Sequence, residues 1–317
     1  VSGEVNIVSL NTKRVRYGFL KLLKALQTIN PDSILSVLRD ANIMLGLVCF
    51  FLPKKHLVFR EASTMHAVKQ LPFLKRIIYL FLMRISYNRA NCIIANSKGT
   101  KEDLMASHVT SDEKCKVVGN PVLPANYETL ANENLSHPWL DNPCVKTILN
   151  VARLHKQKNH AMLIEAFAEA RKHVENIRLL ILGDGTERED LILKAKNLGV
   201  EDFVQIMEFQ ENPYPFYKRA DLFVLTSNWE GFGNVIIEAM ACGTPVISTD
   251  CPGGPREILK DGEYGILIPV GDTKALSMKI VEFFQNRVTV DVNSAKLRAL
   301  EYSVERIAEK YMDILTP

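Results

Sequence analysis

Thr226 to Asp250 reads TSNWEGFGNVIIEAMACGTPVISTD, and this stretch decides the fold. It follows the short aliphatic run Asp221-Leu222-Phe223-Val224-Leu225 and ends on another, Pro245-Val246-Ile247-Ser248. Between them lie a glycine-bearing loop, Glu230-Gly231-Phe232-Gly233-Asn234, and an apolar segment of helical character. Two buried-strand runs joined by a helix describe a βαβ unit in a parallel sheet. In such sheets ligands sit outside the carboxyl ends of the strands, which is where this loop would lie. Gly231 and Gly233 let the backbone approach a ligand closely. The N–H groups of Gly233, Asn234 and Val235 would open the helix as an anion site. Glu230 stands in the loop and Glu238 eight residues later on the helix. On spacing alone, an ordinary strand–loop–helix connection with a surface Glu and a partly exposed helical Glu accounts for the stretch better.

Outward from this stretch, strand and helix patterns alternate in both directions, the signature of Rossmann-like sheets. Strands are expected over 5–10, 33–38, 56–60 and 92–96, with helices over 17–29, 43–51 and 72–89. Ser97 is placed to cap a further helix over 98–105. A polar segment broken by Pro124, Pro138 and Pro143 reads as a linker. A second α/β domain starts at Thr147-Ile148-Leu149-Asn150-Val151. The helix expected over 159–173 carries Leu163, Ala166, Phe167 and Ala170 at core spacing. The expected division is 1–122, a linker over 123–144, a second domain over 145–300 and a closing helix over 301–317.

At 317 residues the chain can bury two cores, and 47% hydrophobic with 24% charged residues is ordinary globular composition. Its six cysteines are scattered, with no C-x-x-C and no zinc spacing, so reduced thiols of a cytoplasmic protein and no metal site are expected. Residues 1–140 carry 18 Lys and Arg against 10 Asp and Glu, and the remainder 21 against 26. Such a split suits an anionic surface, membrane or nucleic acid, and equally a solvated basic face. Over 68–89, Lys69, Lys75, Arg76, Arg84 and Arg89 interleave with Phe73, Ile77, Ile78, Tyr79, Leu80, Phe81, Leu82, Ile85 and Tyr87. That pattern fits a helix lying on anionic lipid, and it also fits a helix whose apolar face packs into its own domain. No apolar run is long enough to span a membrane.

The run Glu230-Gly231-Phe232-Gly233…Glu238-Ala239-Met240-Ala241…Gly243-Thr244-Pro245-Val246 resembles the E-x7-E signature of retaining GT-B glycosyltransferases, family 4. The resemblance extends over nearly the whole chain and is strongest from Val117 onward. It implies two Rossmann-like domains facing a cleft, the last helix crossing back to the first. It also implies transfer of a hexose or N-acetylhexosamine from a UDP- or GDP-sugar to a glycan or polyisoprenyl-linked acceptor, in cell-surface polysaccharide synthesis. Such a donor joins a diphosphate to hydroxyl-bearing rings, so amides and cations suit its middle and carboxylates its ends. By the resemblance Glu238 binds the ribose. Glu230 and the amides of Phe232, Gly233 and Asn234, with Gly231 and Val235 beside them, hold the sugar and diphosphate. Arg153 and Lys158, from Val151-Ala152-Arg153-Leu154-His155-Lys156-Gln157-Lys158-Asn159, stabilise the leaving diphosphate without a metal or other cofactor. Gly183 and Asp184 form a turn near the nucleotide, and the loop from Asp250 to Ile258 resembles one on the acceptor side. The expected partners are the donor, the acceptor and an anionic membrane at the cytoplasmic face, and not nucleic acid.

The chain departs from the family pattern twice. Where many members carry a His after the third strand, this sequence has Arg60 and Glu61, with His66 several residues later; these three are further candidates. Members also begin with a strand, a glycine-rich loop and a helix upstream of the strand expected over 5–10, so an N-terminally incomplete chain is expected. Two other functions share the architecture: a nucleotide-sugar epimerase and a non-catalytic nucleotide-sugar-binding subunit.

Overall fold

The computed structural model describes residues 5–316. They form two compact units, one running to Val118 and resuming at Glu309, the other spanning Gly119–Ala308.

Unit one is built on four parallel strands, β1 (Ser33–Val37), β2 (His56–Glu61), β3 (Cys92–Ala95) and β4 (Cys115–Val117), side by side in that order. Its helices are α1 (Phe19–Ile29), α2 (Arg39–Val48), α3 (His66–Lys69), α4 (Phe73–Arg89) and α5 (Lys98–Ala106). β2 and β3 are central and covered on both faces. That is why Leu57-Val58-Phe59 and Ile93-Ile94-Ala95 are continuous apolar runs, all buried. Phe59, Met83, Tyr87, Ile93 and Leu104 belong to one core. Ser97 caps α5, its Oγ accepting the Thr100 N–H at 3.1 Å. The strand expected over 5–10 is absent. Those residues are irregular, with Val5, Ile7 and Val8 exposed. A strand persists only through its ladder, and among the described residues nothing pairs with this segment.

Unit two holds six parallel strands: β5 (Lys146–Val151), β6 (Ile177–Leu182), β7 (Val204–Met207), β8 (Leu222–Leu225), β9 (Val246–Thr249) and β10 (Ile266–Ile268). Their order is β10-β9-β8-β5-β6-β7. Its helices are α6 (Tyr127–Ala131), α7 (His160–Arg171), α8 (Arg188–Asn197), α9 (Tyr214–Arg219), α10 (Asn234–Ala241), α11 (Pro255–Ile258), α12 (Thr273–Phe284) and α13 (Val292–Ala299). α14 (Val304–Leu315) ends the chain. The chain walks from β5 outward through β6 and β7, then returns to the other side of β5 with β8, β9 and β10. The order reverses between β5 and β8, and an open α/β sheet binds its ligands in the crevice at that reversal.

Residues 123–144 are not a free linker but part of unit two. Polarity and proline concealed this, because the segment is held by hydrogen bonds. Asn212 Nδ2 donates to Leu130 O at 3.0 Å, and Arg219 pairs with Asp141. Leu123, Tyr127 and His137 are buried. α14 begins in unit two, where Val304 N–H donates to Leu123 O at 2.9 Å. From Glu309 it belongs to unit one, where the carbonyl of Leu315 accepts from Ser33 Oγ at 2.6 Å.

Candidate active site in unit two

The loops after β5, β6, β8 and β9 meet at the carboxyl edge of the sheet, and their backbones are bonded to one another. Leu154 N–H donates to Asp184 O at 2.8 Å, Asn228 N–H to Gln157 O at 2.8 Å, and Glu230 N–H to Pro252 O at 2.9 Å. Side chains add to this: Thr226 Oγ1 donates to Lys158 O at 2.8 Å and Gln157 Nε2 to Trp229 O at 2.8 Å. Two glycines permit the contact. A Cβ on Gly183 would stand 2.0 Å from the Ala152 oxygen, and one on Gly253 would stand 2.2 Å from the Glu230 oxygen. The turn at Gly183-Asp184 therefore braces the Arg153 loop, and the Asp250–Ile258 loop braces Glu230.

Glu230 is buried and its Oε1 accepts two hydrogen bonds, from Lys158 Nζ at 2.5 Å and from Ser227 Oγ at 2.6 Å. Lys158 reaches it from the loop after β5, so this ion pair spans the strand-order reversal. Arg153, from the same loop, is exposed and makes no hydrogen bond or ion pair among the described residues. Gly233 caps α10 with φ of 101°, which disfavours other residues, and it brings no side chain to the first-turn N–H groups. Ile236 N–H donates to Gly233 O at 3.0 Å, while the Asn234 and Val235 N–H groups have no side-chain cap and suit an anion. The loop carrying Arg153 and Lys158 and the start of α10 thus share the carboxyl edge of the sheet with the buried Glu230 carboxylate.

Glu238 lies four residues further into α10. Tyr217 O–H donates to its Oε2 at 2.9 Å. Burial pushes the Glu238 carboxyl above its usual value, and the Tyr217 bond pulls the other way. The raised folded value means that Glu238 contributes stability below the ordinary Glu range and loses it as pH rises through that folded value. At neutral pH its charge is a cost. Glu238→Gln keeps an acceptor for Tyr217 and is expected to raise Tm at pH 7, the gain shrinking as pH is lowered. A gain of equal size at acid pH, where both forms are neutral, would refute this account.

Residues 133–299 match the glycosyl transferases group 1 family. The chain belongs to that family. It is 30% identical over 300 residues to the N-acetylgalactosamine-N,N'-diacetylbacillosaminyl-diphospho-undecaprenol 4-alpha-N-acetylgalactosaminyltransferase of Campylobacter jejuni. That alignment covers 93% of this chain and 79% of the relative. The lipopolysaccharide core biosynthesis glycosyltransferase LpsE of Rhizobium meliloti is 31% identical over 242 residues, covering 73% of this chain and 66% of the relative. Among solved structures, Anabaena Alr3699/HepE in complex with UDP superposes with a TM-score of 0.78 at 20% identity, covering 95% of this chain and 82% of that one. The expected enzyme class and the GT-B fold class, two α/β domains with parallel sheets, are therefore borne out.

In this glycosyltransferase several site side chains escaped the sequence reading. Ser227 lies three residues before Glu230 and gave no signal of its own. Tyr217 comes from α9, and only packing brings it to Glu238. Asn120 Nδ2 donates to Asn234 Oδ1 at 2.8 Å, across 114 residues of chain. His160 is fully buried directly after the Lys158 loop. Its Nε2 is 3.0 Å from Asn150 Oδ1, while Asn150 Nδ2 donates to Val224 O at 2.7 Å. Asp184 is exposed and its Oδ2 accepts the Phe209 N–H at 2.9 Å.

The remaining candidates, Arg60, Glu61 and His66, belong to unit one. Glu61 is buried, and Arg39 grips its Oε2 through Nε at 3.0 Å and Nη2 at 2.7 Å. Tyr87 O–H and Asn42 Nδ2 donate to the other oxygen. All four groups are thereby committed to the unit's interior. Arg60 lies beside Tyr311, whose hydroxyl burial pushes upward and Arg60 pulls down. The His66 side chain lies outside the described ones. Among the described residues no three His, Cys, Asp or Glu side chains gather as a metal site would require. The six cysteines are free.

Proposed function

We propose that this enzyme transfers a hexose or N-acetylhexosamine, with retention, from a nucleoside-diphosphate sugar to a glycan or lipid-linked acceptor in cell-surface polysaccharide synthesis. The observation that carries the reading is the Lys158–Glu230 pair at the strand-order reversal, with exposed Arg153 and the uncapped end of α10 at the same edge of the sheet. The diphosphate would lie against Arg153, Lys158 and the amides of Phe232, Gly233 and Asn234, next to Gly231 and Val235. The ribose hydroxyls would donate to Glu238, and the sugar to Glu230. As the bond from the anomeric carbon to the diphosphate breaks, the two cations offset the charge gathering on the leaving oxygen. The acceptor hydroxyl attacks from the same face, and its proton passes to that leaving phosphate. No metal is assigned a part in this scheme. The activity for which the Campylobacter relative is named supports the lipid-linked acceptor, and UDP in the HepE complex supports a UDP-linked donor.

The test is a panel of UDP-, GDP- and ADP-sugars offered with a short-chain polyprenyl-diphosphate glycan, the product's anomeric configuration being read by NMR. Transfer with the donor's configuration kept is expected. An inverted product would overturn retention, release of free sugar with a changed stereocentre would favour an epimerase, and binding without turnover would favour a non-catalytic subunit. For the nucleotide half of the site, Glu238→Ala is expected to raise Kd for the free nucleoside diphosphate about tenfold or more, the worth of a charge-assisted hydrogen bond. Glu230→Gln is expected to leave that Kd little changed and to lower transfer. Equal weakening of the bare nucleotide by both would refute the division.

A further inference from the structure

The loop that opens α10 reads Gly231-Phe232-Gly233, one bulky side chain between two residues that have little backbone preference of their own. What fixes Phe232 therefore fixes the N–H groups around it, and Phe232 is gripped from two sides. On one side lies the loop after β9, where a Cβ on Gly254 would come within 2.1 Å of the Phe232 oxygen. On the other, the Phe232 ring packs edge-on against Tyr302, with centroids 5.5 Å apart and planes at 68°. Phe232 and Tyr302 are 3% and 6% exposed. Buried Gly119 closes over both rings: a Cβ there would stand 2.8 Å from Phe232 Cζ and 2.8 Å from Tyr302 Cε1. Its φ lies outside the left-handed region, so space for the rings, and not backbone conformation, is what glycine supplies here.

Tyr302 is itself held in place. Its carbonyl accepts the Val122 N–H at 2.9 Å and the Leu123 N–H at 3.2 Å. Its hydroxyl accepts from Arg298 Nη2 at 2.8 Å, and the same nitrogen donates to Glu257 O at 3.0 Å. Arg298 thereby ties the ring to α11, the helix that Gly254 caps. Asn120, next to Gly119, bonds Asn234 at the first position of α10. All of these residues lie in unit two. Donors already aimed at developing charge need no reorganisation during reaction, and that is where such a bracket acts. We propose, resting on the donor reading above, that Tyr302 is a positioning residue, seated by Arg298 and by the space that Gly119 leaves. It holds Phe232, and through Phe232 the N–H groups that open α10, in the geometry that receives the donor diphosphate. Tyr302 itself touches neither donor nor acceptor in this scheme.

Ligand-observed NMR titration of the 317-residue chain tests it, with UDP and GDP as probes beside their nucleosides uridine and guanosine, well below each variant's melting temperature. Tyr302→Leu removes the ring but keeps an apolar side chain, and Gly119→Ala wedges the two rings apart on an unstrained backbone. Each is expected to raise Kd for the diphosphate about tenfold, the worth of a charge-assisted hydrogen bond, and to leave Kd for the nucleoside within about twofold. Tyr302→Phe keeps the ring contact and is expected to keep most of the diphosphate affinity. Where Tyr302→Leu does not fold, Gly119→Ala reads the same displacement. A merely structural role would weaken diphosphate and nucleoside alike, since a loosened fold also loses the ribose contact. Equal loss of both probes would therefore overturn the bracket and leave the donor reading standing, as would unchanged diphosphate binding or a loss in Tyr302→Phe as large as in Tyr302→Leu. Wild-type protein that binds neither diphosphate would overturn the donor reading, and the bracket with it.

Discussion

Lys158→Ala is expected to lower kcat by roughly 10²-fold or more, the usual cost of removing a group that stabilises charge developing in the transition state. Arg153→Ala should fall in the same range, yet the two losses differ in their side effects. Arg153 is exposed and unpaired among the described residues, so its removal should leave the melt unchanged. Lys158 and Glu230 are 14% and 7% exposed at the side chain, and removing the cation leaves a buried carboxylate with only Ser227 for a partner. Breaking such a pair from one side typically costs about 3–5 kcal/mol. Lys158→Ala should therefore lose stability as well as rate. Adding Glu230→Gln removes the orphaned charge while keeping an acceptor for Ser227. The double variant should regain much of the stability and none of the rate. Recovery of both together would show that Lys158 acts only through folding. If excess chelator abolished wild-type transfer and Mg²⁺ or Mn²⁺ restored it, the metal-free scheme would be refuted.

The second large effect is on acid stability. Burial, with the Lys158 charge adding to it, pushes the His160 imidazole down to about 4. Its neutral ring donates through Nε2 to Asn150, while Nδ1 has no partner among the described residues. A depressed folded value means that the unfolded chain takes up a proton near pH 6.5 while the folded one refuses it until about pH 4. The stability from keeping His160 neutral is complete above pH 6.5 and is lost across that window, a total of ~3 kcal/mol. His160→Gln retains a donor for Asn150 and does not titrate. Urea midpoints measured between pH 7 and pH 4.5 should fall more steeply for the wild type than for the variant. Parallel slopes would assign the acid loss to carboxylates alone. Lys158→Ala removes one of the two causes of the depression, so in that background the His160 value should rise.

The βαβ pattern around Glu230 was legible because a parallel sheet buried on both faces favours short apolar, β-branched runs bounded by turns, as 222–225 and 246–249 are. Glu230, Glu238, Arg153 and Lys158 were singled out by the family resemblance, while sheet geometry by itself said only that loops after parallel strands share one edge. Residues 5–10 misled for the complementary reason: alternation makes a strand possible, but only a neighbour with free backbone groups makes one. The segment at 123–144 misled because polar residues and prolines say nothing about bonds to α9, some 80 residues away. Tyr217 and Asn120 act through contacts 21 and 114 residues away that no local pattern encodes, whereas Ser227 bonds Glu230 only three residues on and carried no signal of its own. Likewise, α4 was amphipathic by composition in two directions at once. Which face packs inward depends on where α2 and β2 lie, and only the folded unit left Phe73, Leu74, Ile77, Ile78 and Phe81 bare. What the sequence by itself determined is the alternation of strand and helix, and with it the edge on which charged loops gather. The tertiary structure alone decided which charges pair, which is buried neutral and which apolar face stays exposed. Those outcomes rest on distances across the chain, where burial and Coulomb terms replace local propensity.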